Sequence, residues 1–156
     1  MIMKKRLIFI GTAVVTALAV LLCVEFGGGI QLLGESHAVE APCDGVTLRI
    51  SATSREAEFT ITSASVDYII YESFGKNMEL EKLVDGEWYV VRQVGIGRDE
   101  PSPISPGNSM TGRIVWSDVY GARLSSGTYR LVYTFHAMRD LVQSDNYTIM
   151  QEFFID

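Results

Sequence analysis

The feature that most constrains the fold is an alternation of apolar and polar side chains with a period of two, which recurs through residues 46–155. Val46, Leu48 and Ile50 alternate with polar residues, and Phe59 and Ile61 repeat the pattern. This period places every apolar side chain of a segment on one face of a β-strand. The pattern predicts about seven short, half-buried strands and no helix in this part of the chain.

Turn signals separate these segments. Asp85-Gly86 lies between two alternating stretches, residues 78–84 and 87–92, and both turn residues tolerate a positive φ, which predicts a tight hairpin. Residues 95–107 contain three prolines and are predicted to form a long surface loop. Alternation resumes at residues 109–116, 128–135 and 147–155, and the connection at 136–146 is not defined by the pattern.

The short alternating strands predict an all-β, immunoglobulin-like two-sheet antiparallel sandwich with Greek-key connections. Tyr129 lies just after Gly127 and two residues before the inward-facing Leu131. That is the position of a tyrosine corner, in which the hydroxyl group bonds to upstream backbone. The predicted core residues are Leu80, Trp88, Trp116, Leu131, Tyr133 and Phe135.

The N-terminus carries a different signal. Residues 7–24 form an apolar run interrupted only by Gly11 and two threonines, and Lys4, Lys5 and Arg6 precede it. As a helix, 18 residues span about 27 Å, close to the thickness of a bilayer core. The basic cluster predicts a cytoplasmic N-terminus and export of the chain beyond the apolar run. Three alternatives stay open: an uncleaved single-pass anchor, a cleaved signal peptide, or a lipid anchor on Cys23.

These patterns divide the chain into a membrane anchor or signal segment at 1–26, a flexible Gly-rich tether at 27–45 and the sandwich domain at 46–156. Cys43 is then the one thiol of the exported part. It is interpreted either as a small buried residue near the first strand or as a partner in an interchain disulfide.

Composition excludes several classes of function. The formal net charge is −6, and residues 31–156 carry 10 basic and 18 acidic side chains, which excludes nucleic acid as the main partner. Two cysteines and two histidines exclude a disulfide scaffold and leave no ligand set for structural zinc.

The candidate chemistry is sparse. Glu79 and Glu81 share one face of a predicted strand, with their Cα atoms about 6.8 Å apart. They are interpreted either as an acid/base pair or as part of a solvated face. His136 with Ser125 and Ser126 lacks the orienting acid of a triad. Scattered acidic residues lack the order of a calcium loop; they are Asp99, Glu100, Asp140 and Asp145.

Aromatic residues are numerous for one small core; they include Tyr68, Tyr71, Phe74, Trp88, Tyr89 and Tyr120. They are interpreted as core and edge coverage, or as a contact face for protein or carbohydrate on one sheet. The sequence predicts no catalytic, cofactor-binding or metal-binding residue.

Four motifs carry a resemblance to a known family. They are MELEKLVDGEWYVV at 78–91, SPGNS at 105–109, VWSDVYG at 115–121 and LSSGTYRL at 124–131. In this order they resemble the bacterial immunoglobulin-like domain of exported Firmicute proteins, which implies a sandwich fold and a surface location but no catalytic residues. A weaker resemblance is to the intracellular proteinase inhibitors of Bacillus, which share a small sandwich.

We therefore expect a non-enzymatic binding or structural module, displayed outside the cytoplasmic membrane and held by residues 7–24, or secreted if that segment is cleaved. The expected partner is a protein or a cell-surface glycan, with no cofactor. The alternative is an inhibitor of a surface or secreted protease that presents the loop at 95–107.

Overall fold

Two antiparallel β-sheets pack face to face in the computed structural model, which describes residues 29–64, 69–71, 77–95, 103–139 and 143–156. Nine strands and one short helix occur in these residues. They are β1 (Leu32–Glu35), β2 (Val46–Ala52), β3 (Glu56–Ser63), β4 (Ile69–Tyr71), β5 (Met78–Val84), β6 (Glu87–Val91), β7 (Ser109–Val115), α1 (Trp116–Tyr120), β8 (Gly127–Arg139) and β9 (Gln143–Ile155).

The larger sheet is organised around β8. One edge of β8 pairs along its whole length with β9, and the other edge pairs first with β5 and then with β4. Beyond β5 lie β6 and then β1, while the smaller sheet has the order β2-β3-β7. The predicted all-β, two-sheet antiparallel sandwich is confirmed.

The core lies between the sheets and falls into two adjoining clusters. One is built around Tyr133, Phe135 and Phe59, and the other around Trp116, Tyr129 and Leu80. Five of the six predicted core residues have no exposed surface; they are Leu80, Trp116, Leu131, Tyr133 and Phe135. The prediction that Trp88 belongs to the core is wrong. This residue is only half-buried and lies on the outer face of its sheet, where its ring stacks on Arg130.

Both local turn predictions are confirmed. Asp85 and Gly86 have φ angles of 52° and 91°, the left-handed pair that closes a two-residue hairpin between β5 and β6. The Tyr129 hydroxyl donates to the Ser125 carbonyl oxygen at 3.0 Å, as a tyrosine corner requires.

The helix α1 corrects the expectation that no helix follows residue 46 and that a strand includes Trp116. Trp116 and Tyr120 are four residues apart, and one helical turn directs both rings into the core. Residues four apart share a face in a strand as well, so the alternation did not distinguish the two structures. Gly121 ends the turn with a φ of 79°. The undefined connection at 136–146 is largely strand, since β8 and β9 pair out to Arg139 and Gln143.

The segment predicted as a flexible tether is instead packed against the sandwich in its described part, residues 29–45. Ile30 is buried in the core, and β1 pairs with β6. Farther along, Ala41 forms a two-hydrogen-bond bridge with Thr148 of β9, both bonds 2.9 Å long. The segment shows no alternation because much of it crosses a sheet rather than lying within one.

Two other expectations concern residues that the structure does not describe. The apolar run at 7–24 lies outside the described residues, as do positions 96–102 of the long loop. No helix within the described ranges is long and apolar enough to cross a membrane. At the end of that loop, Ile104 is buried and bridges Ile70 of β4, so this residue is part of the core rather than the surface.

A glycine in β7 fixes the fit between β3 and β7. Gly112 lies opposite Phe59, and a Cβ added to Gly112 would approach the Phe59 ring to 2.3 Å. The phenyl ring therefore occupies the space that any other residue at position 112 needs.

We predict that Gly112→Ala lowers the free energy of unfolding by about 1–3 kcal/mol because of this overlap. Urea denaturation measures the loss, and Gly34→Ala in β1 is the control because a Cβ added at Gly34 would have nothing within 4 Å. In a Phe59→Ala background the Gly112→Ala loss should largely disappear. An undiminished loss in that background would show that the ring is not the cause.

Candidate functional site

Residues 36–41, here called the strap, cross the outer face of the larger sheet. At one end the Ser36 amide donates to the Trp88 carbonyl oxygen of β6 at 2.7 Å. At the other end the strap reaches the free edge of β9 through the bridge between Ala41 and Thr148. Between these two attachments it passes over β5 and β8, so it covers part of the face that alternation alone would leave in water.

Beneath the strap lies a buried ion pair. Glu81 of β5 is 0 % exposed and pairs with the guanidinium group of Arg130, its cross-strand neighbour on β8. The Ser36 hydroxyl donates to the other carboxylate oxygen of Glu81. Arg130 in turn lies 4.4 Å from the centre of the Trp88 ring. The Glu81 charge is thus balanced by a cation and by a donor from the strap.

Glu79 is two residues before Glu81 on the same face, but it is exposed. Partial burial raises the pKa of Glu79 above its ordinary value of 4.5, and the nearby Glu81 charge and a hydrogen bond to Glu81 raise it further. Arg130 lowers this pKa in part. Arg130 itself is paired with Glu81, and Glu79 beside this pair is the more accessible of the two carboxylates.

A cavity of about 230 Å³ opens between the strap and the sheet, beside Glu79. The strap contributes Ala38 and Val39 to its wall. The sheet contributes four residues of β5, β8 and β9 together with the residue just before β5; they are Asn77, Glu79, Val132, Thr134 and Thr148. The hydroxyl groups of Thr134 and Thr148 are 3.2 Å apart. The cavity therefore combines an apolar floor and wall with a carboxylate, an amide and two hydroxyl groups.

The comparison with protein families agrees with this architecture. A family model described as a bacterial Ig-like domain matches residues 45–154. The chain belongs to the bacterial Ig-like domain family. No curated protein matches the chain. The family match begins next to β2, so the strap of this Ig-like domain precedes the matched region.

The geometry separates the two predicted candidate carboxylates. An acid/base pair needs both groups at the substrate, but Glu81 has no exposed surface and is held by Arg130 and Ser36. The alternative, a solvated strand face, is also incomplete, because only Glu79 is solvated. The pair is better described as a buried structural charge next to an accessible one.

The other candidate residues of the Ig-like domain are not brought together. Ser125 precedes β8 and contacts Lys82 and Tyr129, whereas His136 lies near the far end of β8, about 30 Å away along the strand. Asp99, Glu100 and Asp140 lie outside the described residues, and no group of metal ligands occurs within the described ones.

Cys43 and the aromatic residues have structural positions. Cys43 is buried in the core, and burial together with the charge of Asp44 raises the pKa of its thiol, so the buried interpretation fits better than the interchain disulfide. Trp88 and Tyr89 are half-buried, Tyr120 is buried, and Tyr68, Phe74 and the Tyr71 side chain lie outside the described part of the chain. Phe154 is an exposed aromatic residue. The alternation of its strand did not mark it as different from the neighbouring residues.

Sequence reasoning found Glu79 and Glu81 but missed the strap. The nearest signal is indirect: Ile30 and Cys43 are apolar residues that flank an aperiodic segment. Their burial anchors the segment at both ends, but their spacing follows neither the helical nor the strand period.

We predict that Glu81→Met and Arg130→Met each lower the free energy of unfolding by about 3 kcal/mol, because each leaves a buried charge without its partner. The double variant should lose less than either single variant, because it removes both charges. Urea unfolding of the parent, the two single variants and the double variant gives the four free energies of a double-mutant cycle. Additive losses would show that the two side chains do not depend on each other.

A second prediction follows from the raised pKa of Glu79. Between pH 4.5 and the folded-state pKa, the folded protein binds more protons than the unfolded chain, so stability falls as the pH rises through this interval. Glu79→Gln should therefore be more stable than the parent at pH 7, by less than about 1 kcal/mol because the group is solvated. The difference should vanish below pH 4.5.

Thermal unfolding across pH 4–8 measures this effect. Glu58→Gln, an exposed carboxylate on the outer face of the smaller sheet, is the matched control. A destabilised Glu79→Gln protein at pH 7 would contradict the prediction.

Proposed function

We propose that the chain is a non-enzymatic binding module displayed outside the cytoplasmic membrane, with its N-terminus in the cytoplasm and residues 7–24 as the anchor. The basic cluster before an apolar run long enough to span a bilayer supports this orientation. Membership of the bacterial Ig-like domain family supports a binding or structural role. The proposed partner is a protein.

The contrast between the two outer faces carries the proposal. On the smaller sheet the outward residues are hydroxylic or charged apart from Val115 at the end of β7, and many are paired with one another. Thr60 and Thr111 are 3.1 Å apart, Thr62 and Ser109 are 2.9 Å apart, and Arg113 pairs with Glu56. A face whose polar groups satisfy each other offers little to a partner.

The larger sheet has a different outer face. Val39 on the strap is 77 % exposed, and Phe154 on β9 is 60 % exposed. The open cavity and the Trp88–Arg130 stack lie on the same face. Exposed apolar and aromatic side chains next to a cavity and a stacked arginine are typical of protein contact surfaces.

Location and binding are tested separately on intact host cells. A peptide tag after Asp156 should be accessible to antibody before the cells are permeabilised. A tag that is reached only after permeabilisation would overturn the proposed location.

Chemical crosslinking of the full-length chain on the same cells tests binding. We expect a reproducible protein partner whose yield falls at least tenfold in Val39→Asp and Phe154→Asp, since a charge at either position opposes apolar contact. Thr47→Asp, on the outer face of the smaller sheet, should keep the yield. Absence of a partner, or equal loss in all three variants, would overturn the proposed face.

A further inference from the structure

We propose that the cavity between the strap and the larger sheet binds the side chain of a lysine presented by the partner protein. This inference rests on the proposed function, because it assigns one contact within the proposed binding face. The arrangement of acceptors, the apolar walls and the size of the cavity each support it.

The polar groups of the cavity are suited to an ammonium group. Glu79 supplies a carboxylate, and the basic residue nearest to it, Arg130, is held by Glu81. Asn77 supplies an amide oxygen, and the hydroxyl groups of Thr134 and Thr148 bond to each other while keeping lone pairs. An ammonium group has three donors and no acceptor, so it matches a site of this kind.

The walls are suited to the methylene stem of lysine. Val132 is buried beneath the strap and forms the apolar floor, and Ala38 and Val39 form one side. Lysine side chains pack their methylene groups on apolar surface while the charged end reaches polar partners. The same cavity therefore accommodates both parts of the side chain.

Size and lining favour a single side chain over a larger ligand. The cavity volume of about 230 Å³ is below the roughly 300 Å³ at which small-molecule pockets begin. The described residues that line it include no aromatic ring on which a sugar would stack, and one carboxylate is too few for a cation site. The excess of acidic side chains in residues 31–156 favours a basic partner.

The experiment titrates the full-length chain, held in a non-ionic detergent, with N-α-acetyl-lysine methylamide. Methyl-group NMR signals of Val132, Thr134 and Thr148 report occupancy of the cavity. We expect saturable shifts of these signals with a dissociation constant of about 1 mM, a value reasonable for a single side chain. The norleucine analogue and the Nε-acetylated probe, which lack the ammonium group, should leave the signals unchanged.

Glu79→Gln should weaken binding of the lysine probe at least tenfold, and Glu58→Gln should not change it. The methyl spectrum of each variant shows that it is folded. Equal binding of the neutral probes, or undiminished binding by Glu79→Gln, would overturn the proposal. If glucosamine shifted these methyl signals and the lysine probe did not, the assignment to lysine would be overturned.

The two proposals fail in different ways. If a partner crosslinks through the Val39 and Phe154 face but the lysine probe does not bind, the inference about the cavity is wrong and the binding function stands. If the probe binds but no partner is found on cells, the proposed function is wrong and the cavity is an amine site without a demonstrated protein partner.

Discussion

The outer face of the larger sheet depends on one constraint, which is that the buried Glu81 carboxylate must have partners for its charge and its hydrogen bonds. A fully buried carboxylate is costly unless it is both paired and hydrogen-bonded. Arg130 supplies the pairing from the adjacent strand, and Ser36 supplies a hydrogen bond from the strap. The strap is therefore required by the charge that it covers, and the charge is tolerated because the strap is there.

This dependence joins parts of the chain that are distant in sequence. The strap is tied to β6 at Ser36 and to β9 at Ala41, and the chain then enters the core at Cys43 before it begins β2 of the smaller sheet. One short segment thus connects both sides of the larger sheet and leads into the other sheet. The cavity beside Glu79 exists because the strap lies on the sheet without filling the space above Val132.

The features that could be predicted from the sequence are those that depend on neighbouring residues. Asp85-Gly86 predicts the hairpin and Tyr129 after Gly127 predicts the tyrosine corner, because the contacts that control each lie within a few residues. Alternation predicts the sandwich because each strand has one apolar face that must be buried, whichever strands it pairs with. The prediction that Trp116 lies in the core is confirmed, but its placement in a strand is wrong, since one helical turn also buries an aromatic residue. The site was less predictable, because the burial of Glu81 comes from Ser36, 45 residues earlier in the chain. An aperiodic segment that crosses a sheet leaves no pattern in its own residues, so neither the strap nor the cavity beneath it could be predicted.

The position of β1 also has a mechanical consequence. Tension that enters the domain at Ile30 acts first on the hydrogen bonds between β1 and β6, and then on the bond between Ser36 and Glu81. Rupture of the first set pulls Ser36 away and leaves the carboxylate without its donor. In a domain pulled from its N-terminal side, β1 would detach first and the strap that walls the cavity would follow.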